Sequence, residues 1–80
     1  MLKVLRYVQE DGRVPFDAWF SGLRDTELKG RVLFRLHQLQ LGNWGDWLSV
    51  GGGVYELRIH LGAGHRIDCG RCGDSLVILL

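Results

Sequence analysis

The clearest pattern in the sequence is an alternation of apolar and polar residues at positions 55 to 61. Tyrosine, leucine and isoleucine occupy the odd positions, and charged residues or histidine occupy the even ones. A period of two predicts a strand with one buried and one solvent-exposed face. The alternation resumes at positions 66 to 69, after a glycine-rich turn at 62–64. The two segments together predict a β-hairpin.

The charged face of this hairpin has a predicted register. With the turn centred near Ala63, His60 lies opposite Arg66, and Arg58 lies opposite Asp68. A shift of one residue would drive these charges into the core, so burial determines which side chains share a face. The exposed face is therefore predicted to carry Glu56, Arg58, His60, Arg66 and Asp68.

Helical patterns precede the hairpin. Residues 3–8 alternate weakly and predict a first strand. Phenylalanine, tryptophan and leucine at helical spacing predict a short helix from Pro15 to Gly22 or Leu23. A second helix is predicted between its cap, Asp25 or Thr26, and the Gly42-Asn43 pair. Its apolar stripe contains Leu28, Val32, Leu33, Leu36 and Leu39.

Two further strands complete the predicted fold. Residues 44–50 predict a strand before the hairpin, and residues 75–80 predict one after it. The last strand does not alternate, which is typical of a strand covered on both faces. The order predicts an α+β fold, with an N-terminal strand and two helices packed on a mainly antiparallel sheet. Because the sequence offers no further segment to cover the last strand, we expect self-association through its edge or second face.

Composition limits the possible classes of protein. Eighty residues suit one domain over 1–80, and a hydrophobic content of 46% indicates a globular chain. The longest apolar run, residues 76–80, is far shorter than the roughly 20 residues that span a bilayer, so no membrane segment is expected. The N-terminus has no signal-peptide pattern. Cys69 and Cys72 are too few for a disulfide scaffold or a zinc site, and a cytoplasmic location fits best.

Three short motifs follow the two predicted helices in order. They are LGNWGD at 41–46, VGGGVYELRI at 50–59 and GAGHRI at 62–67. Together they resemble the RelE/ParE toxin superfamily, and most closely the addiction module killer proteins related to HigB-type toxins. The resemblance extends over residues 7–80. It implies a RelE-like fold and a bacterial or phage toxin of a type II toxin–antitoxin module, neutralised by a cognate antitoxin protein.

The resemblance also implies an activity. Active members cut mRNA on the ribosome without a metal or cofactor, and they leave a 2′,3′-cyclic phosphate or a 3′-phosphate. ParE-like relatives inhibit DNA gyrase instead. The basic sheet residues of the family fall on Arg58 and Arg66. The chain departs from the family at Leu48, where a lysine is common, at His65, where a tyrosine is common, and in lacking the family's C-terminal segment.

Two hypotheses follow, an mRNA endoribonuclease and a non-catalytic binding module or gyrase inhibitor. Cleavage of RNA by its own 2′-hydroxyl requires a base, a cation beside the phosphorane, and an acid. Arg58 and Arg66 are the candidate cations, because the arginine fork matches phosphate oxygens. His60 and His65 are candidates for proton transfer. The alternative is that Arg58 and Asp68 form only a cross-strand ion pair on a solvated face.

Basic residues of the second predicted helix form another candidate site. Lys29, Arg31 and Arg35 are predicted to bind ribosomal RNA, with strong salt dependence as the signature. A solvated helix face is the favoured alternative. The antitoxin is expected to bind across the sheet edge or the hairpin face and to neutralise Arg58 and Arg66.

Overall fold

A computed structural model describes residues 2–79 of the chain. The elements follow in the order β1 (Lys3–Arg6), α1 (Pro15–Gly22), α2 (Thr26–Gln40), β2 (Trp47–Gly51), β3 (Val54–Ile59), β4 (His65–Cys72) and β5 (Ser75–Ile78). The strands form one sheet in the spatial order β1-β5-β4-β3-β2. β1 and β5 pair in parallel, and the other neighbours are antiparallel. The predicted α+β class, with a mainly antiparallel sheet, is confirmed.

Local chemistry determines where both helices begin and end. Pro15 occupies the first turn of α1, where its fixed φ suits the helix and its missing N–H breaks no bond. The Asp25 carboxylate caps α2 by accepting from the N–H groups of Glu27, at 3.0 Å, and Leu28, at 3.2 Å. After α2, Gly42 has a φ of +85°, a left-handed conformation that favours glycine. The predicted helix boundaries are confirmed.

One hydrophobic core lies between the helices and one face of the sheet. Residues on alternate positions of β3, β4 and β5 supply the sheet side, and both helices supply the other side. Burial of each large aliphatic side chain stabilises the fold by about 1.5–3 kcal/mol. Leu33 is not part of this core, because it lies on the exposed side of α2. The core residues are Phe16, Leu28, Val32, Leu39, Leu57, Ile59, Ile67, Cys69, Leu76 and Ile78.

The opposite side of the sheet, which we call the open face, is not covered by either helix. On β3 and β4 it presents charged residues, and on β5 and β1 it presents the apolar Val77 and Leu5 together with Ser75 and Lys3. Direct cross-strand partners share a face of a sheet. The open face therefore includes Glu56, Arg58, Arg66, Asp68, Val77 and Leu5.

The register of the β3–β4 hairpin differs from the predicted one by two residues. Arg58 lies opposite Arg66 rather than Asp68, and Glu56 lies opposite Asp68. The predicted pairing of His60 with Arg66 is also wrong, because the ladder ends at Ile59 and His60 has left the strand. The prediction that the strand charges share one exposed face is confirmed, since a shift of two residues preserves the face.

β5 is an interior strand of the sheet. It pairs with β4 on one side and with β1 on the other. The prediction that its edge is free for self-association is therefore wrong. Val77 and Leu79 are half-buried on the open face, so association through that face stays a prediction. Leu80, at the end of the predicted strand, lies outside the described residues. No helix within residues 2–79 is long and apolar enough to cross a membrane.

Candidate functional site

Two shallow clefts meet at the end of β3. The first, which we call the face cleft, has a volume of about 380 Å³ and lies on the open face at the tip of the hairpin. The second, the helix cleft, has a volume of about 220 Å³ and lies between α2 and the end of β3. Arg58, Ile59 and His60 line both clefts. The face cleft brings together all the residues predicted for catalysis: Arg58, His60, His65 and Arg66.

The two arginines of the face cleft have different surroundings. Arg66 donates from Nη1 to Oε1 of Glu56 at 3.1 Å, and its Nε lies 4.0 Å from Oδ1 of Asp68. The guanidinium of Arg58 has no hydrogen-bond acceptor or ion-pair partner among residues 2–79. The alternative prediction of an Arg58–Asp68 ion pair is therefore wrong. Arg58 keeps its five N–H donors for a ligand.

His60 is held by a carboxylate that the sequence analysis did not assign to the site. Its Nε2 forms a hydrogen bond with Oδ2 of Asp46. This bond, together with the positive charges of His60, Arg58 and Arg35, lowers the pKa of Asp46 below its ordinary value. An ionised carboxylate only accepts hydrogen bonds, so Nε2 of His60 is the ring nitrogen that donates in this contact. Nδ1 is the ring nitrogen left for proton exchange, the role of a general base.

Arg35 of α2 fixes the loop that carries Asp46. Its Nη1 donates to the carbonyl of Trp44 and its Nη2 to the carbonyl of Asp46, both at 2.8 Å. Gly45, between them, has a φ of +62°, and a Cβ there would collide with Nη1 of Arg35. Burial lowers the pKa of Arg35, and the charge of Asp46 opposes this change. The backbone N–H of Arg58 also donates to the carbonyl of Asp46, at 3.0 Å. The loop is therefore bonded to both α2 and β3.

The basic residues predicted on α2 do not lie together. The Lys29 ammonium lies 5.4 Å from the ring centroid of Phe20, towards α1. Arg31 pairs with Glu27 at 3.7 Å, and Arg35 is bonded to the loop carbonyls. Arg31 and Arg35 line the helix cleft, whereas Lys29 does not. Binding of RNA by these residues stays a prediction, but they do not form one continuous ridge.

His65 and the two cysteines are the remaining candidate residues. His65 is the first residue of β4 and lies opposite Ile59, so it leaves the strand on the side of Ile59 and not on that of Arg66; it is exposed and also lines the face cleft. Cys69 is in the core, where burial raises its pKa to about 12, and Cys72 is exposed. Successive strand residues alternate between faces, so the two thiols lie on opposite sides of the sheet. Within residues 2–79, no group of three or more histidine, cysteine, aspartate or glutamate side chains is arranged to hold a metal ion.

Asp46, Phe34 and Gln38 are site residues that the sequence analysis did not find. Asp46 lies in the LGNWGD motif, which was the only local signal for it. Its contact with His60 joins residues 14 positions apart, so hydrophobic periodicity does not reveal it. Phe34 lines the helix cleft from the exposed side of α2.

Comparison with known proteins identifies a relative. The chain is 40% identical over 73 residues to a Haemophilus influenzae protein described as an uncharacterized protein, and the match covers 91% of this chain and 74% of that protein. The chain belongs to the same family as this protein. No family model matches the sequence, and no solved structure matches the chain.

Proposed function

We propose that the protein is the toxin of a type II toxin–antitoxin module, with a RelE-like fold and a cytoplasmic site of action. Its proposed activity is metal-independent cleavage of mRNA on the ribosome, neutralised by a cognate antitoxin. The observation that carries this proposal is the position of Arg58. Its guanidinium has no hydrogen-bond or ion-pair partner among residues 2–79, its backbone lies directly opposite Arg66, and it lines the helix cleft together with Asp46 and His60. The resemblance of the three sequence motifs supports the same function.

The electrostatic interactions of Arg58 and Arg66 favour a phosphate ligand. Like charges directly opposite each other destabilise an antiparallel pair by up to about 1 kcal/mol. A phosphate bound between Arg58 and Arg66 replaces this repulsion with charge-assisted hydrogen bonds, each contributing about 1.5–3 kcal/mol. Binding of a phosphate therefore gives Arg58 an acceptor, while Arg66 shares its donors between the phosphate and Glu56. An anionic ligand would supply the counter-ion that Arg58 does not have among residues 2–79.

The face cleft has the groups that the proposed reaction requires. Nδ1 of His60 takes the proton from the 2′-hydroxyl, whose oxygen attacks the adjacent phosphorus, and Asp46 stabilises the imidazolium that forms. Arg58 and Arg66 stabilise the charge of the phosphorane. His65 donates a proton to the departing 5′-oxygen. The P–O5′ bond breaks, and the products are a 2′,3′-cyclic phosphate and a 5′-hydroxyl.

Replacement of the free arginine tests this proposal. Arg58→Ala should lower the rate of transcript cleavage by about 10²–10³, the usual effect of losing one donor to a developing anion, and should relieve growth arrest. Its melting temperature should stay within a few degrees, because Arg58 is exposed. Arg13→Ala is the control, since Arg13 pairs with Asp11 away from both clefts. Wild-type expression that neither slows growth nor cuts transcripts contradicts the enzymatic function.

A non-catalytic toxin-fold binding module, or a ParE-like gyrase inhibitor, is a second candidate. The apolar half of the open face favours it, because Leu5 is 41% and Tyr7 43% exposed and neither helix covers them. The same half, next to Arg58 and Arg66, is the proposed docking surface of the antitoxin. Growth arrest that persists in His60→Ala without transcript cleavage would favour this candidate over the enzyme.

A further inference from the structure

The proposed chemistry leaves the α2 side of the helix cleft without a role. This cleft shares Arg58 and His60 with the face cleft and is otherwise lined mainly by residues of α2 and by Asp46. Its volume of about 220 Å³ is below the ~300–1,000 Å³ of sites that enclose a whole small molecule. The helix cleft therefore suits one part of a larger ligand that is held mainly elsewhere.

Phe34 is the unusual residue of the helix cleft. Its side chain is 60% exposed, and no other aromatic ring among the described residues packs against it. A single exposed apolar residue is common on protein surfaces and needs no explanation. Phe34, however, lies in a concave site together with Arg31, Gln38 and Asp46. An aromatic ring beside hydrogen-bonding groups is the arrangement that proteins use to hold unstacked bases.

We propose that the helix cleft binds an unpaired nucleobase of the RNA whose phosphate lies in the face cleft. Arg58 borders both clefts, so a phosphate bound to it places the adjoining nucleotide beside α2. The ring of Phe34 then stacks on the base, and the Gln38 amide offers a donor and an acceptor to the base edge. This inference rests on the proposed function and assigns to Phe34 the contact with the base.

Binding of two matched oligomers tests the inference. One is a short RNA with 2′-O-methyl groups, which cannot be cleaved through its 2′ oxygen, and the other has the same backbone without bases. Stacking on an aromatic side chain predicts that Phe34→Ala weakens binding of the first oligomer about 5- to 150-fold and leaves binding of the second unchanged. Phe34→Leu should behave like Phe34→Ala, because leucine is apolar but has no aromatic face.

Leu33→Ala is the matched control. Leu33 is the neighbouring residue on α2, is 56% exposed, and does not line the helix cleft. Its replacement should leave binding of both oligomers unchanged. A protein-docking role for this surface predicts instead that Phe34→Leu keeps full affinity for RNA, and that result overturns the inference. An equal loss for both oligomers in Phe34→Ala also overturns it.

The same titration separates failure of this inference from failure of the proposed function. If Arg58→Ala loses affinity for both oligomers and Phe34→Ala loses none, the base site is wrong and the phosphate site stands. If the wild-type protein binds neither oligomer, the phosphate site at Arg58 is wrong and the inference fails with it, whereas the proposed function is judged separately by growth arrest and transcript cleavage.

Discussion

On the covered face of the sheet, Leu57 and Ile67 are completely buried against the helices, whereas on the open face their neighbours Arg58 and Arg66 extend into solvent. The same two strands supply both sets, because successive side chains of a strand point to opposite faces. Arg58 and Arg66 are therefore each fixed in place by a core residue next to them. Stability and ligand binding can be altered separately in this fold, even at adjacent positions.

The largest expected effect is on the covered face. Leu57→Ala should lower the free energy of unfolding by about 2–5 kcal/mol, because it leaves a cavity in a packed core. Leu48→Ala is the same change on the neighbouring strand, opposite Glu56 on the open face, where the side chain is 45% exposed. It should cost less than about 1 kcal/mol. Urea unfolding of both variants measures the difference, and equal losses would contradict the division between the faces.

A smaller effect is expected where α2 meets the loop before β2. Arg35→Lys should lower the free energy of unfolding by about 1.5–3 kcal/mol, because lysine cannot donate to the carbonyls of Trp44 and Asp46 in a fork. Arg31→Lys is the control, since its 3.7 Å contact with Glu27 is exposed and should be nearly neutral. Thermal unfolding measures both. In Arg35→Lys, the NMR signals of the His60 ring should also shift as Asp46 loses its support, and unchanged signals would show that Arg35 does not position the pair.

The sequence was sufficient to predict the features that depend on nearby residues. The alternation of apolar and polar residues identified the strands, and capping residues identified the ends of the helices. The same alternation placed the side chains of Arg58 and Arg66 on one exposed face of the hairpin. The predicted register of the β3–β4 hairpin was wrong by two residues, because the ladder of paired residues ends at Ile59. His60 bonds to Asp46 instead of pairing with β4, and the turn is longer than predicted. Turn composition alone did not reveal that contact.

The features that the sequence did not predict depend on contacts between distant residues. The parallel pairing of β1 with β5 joins the two ends of the described chain, so the apolar final strand looked uncovered from its composition. The attachment of the Asp46 loop depends on Arg35 reaching over Gly45, where a Cβ would displace the guanidinium from this position. Neither contact leaves a periodic signal in the sequence.

The smallest expected effect is a change in the pH dependence of stability caused by Asp46. The pKa of this carboxyl is lowered from 3.8 in the folded protein, chiefly by its hydrogen bond with His60. The unfolded chain therefore binds more protons between the two pKa values, so the contribution of Asp46 is complete above pH 3.8 and is lost as pH falls through the lowered value.

Asp46→Asn removes this titration. The difference in melting temperature between wild type and Asp46→Asn should be largest above about pH 5 and should shrink as pH falls below 3.8. In a His60→Ala background, the same substitution should have a smaller effect, because the hydrogen bond is absent and only the charges of Arg58 and Arg35 still act on the carboxylate. A difference that stays constant from pH 3 to pH 6, or one that is undiminished in the His60→Ala background, would show that the hydrogen bond with His60 is not the chief cause of the lowered pKa.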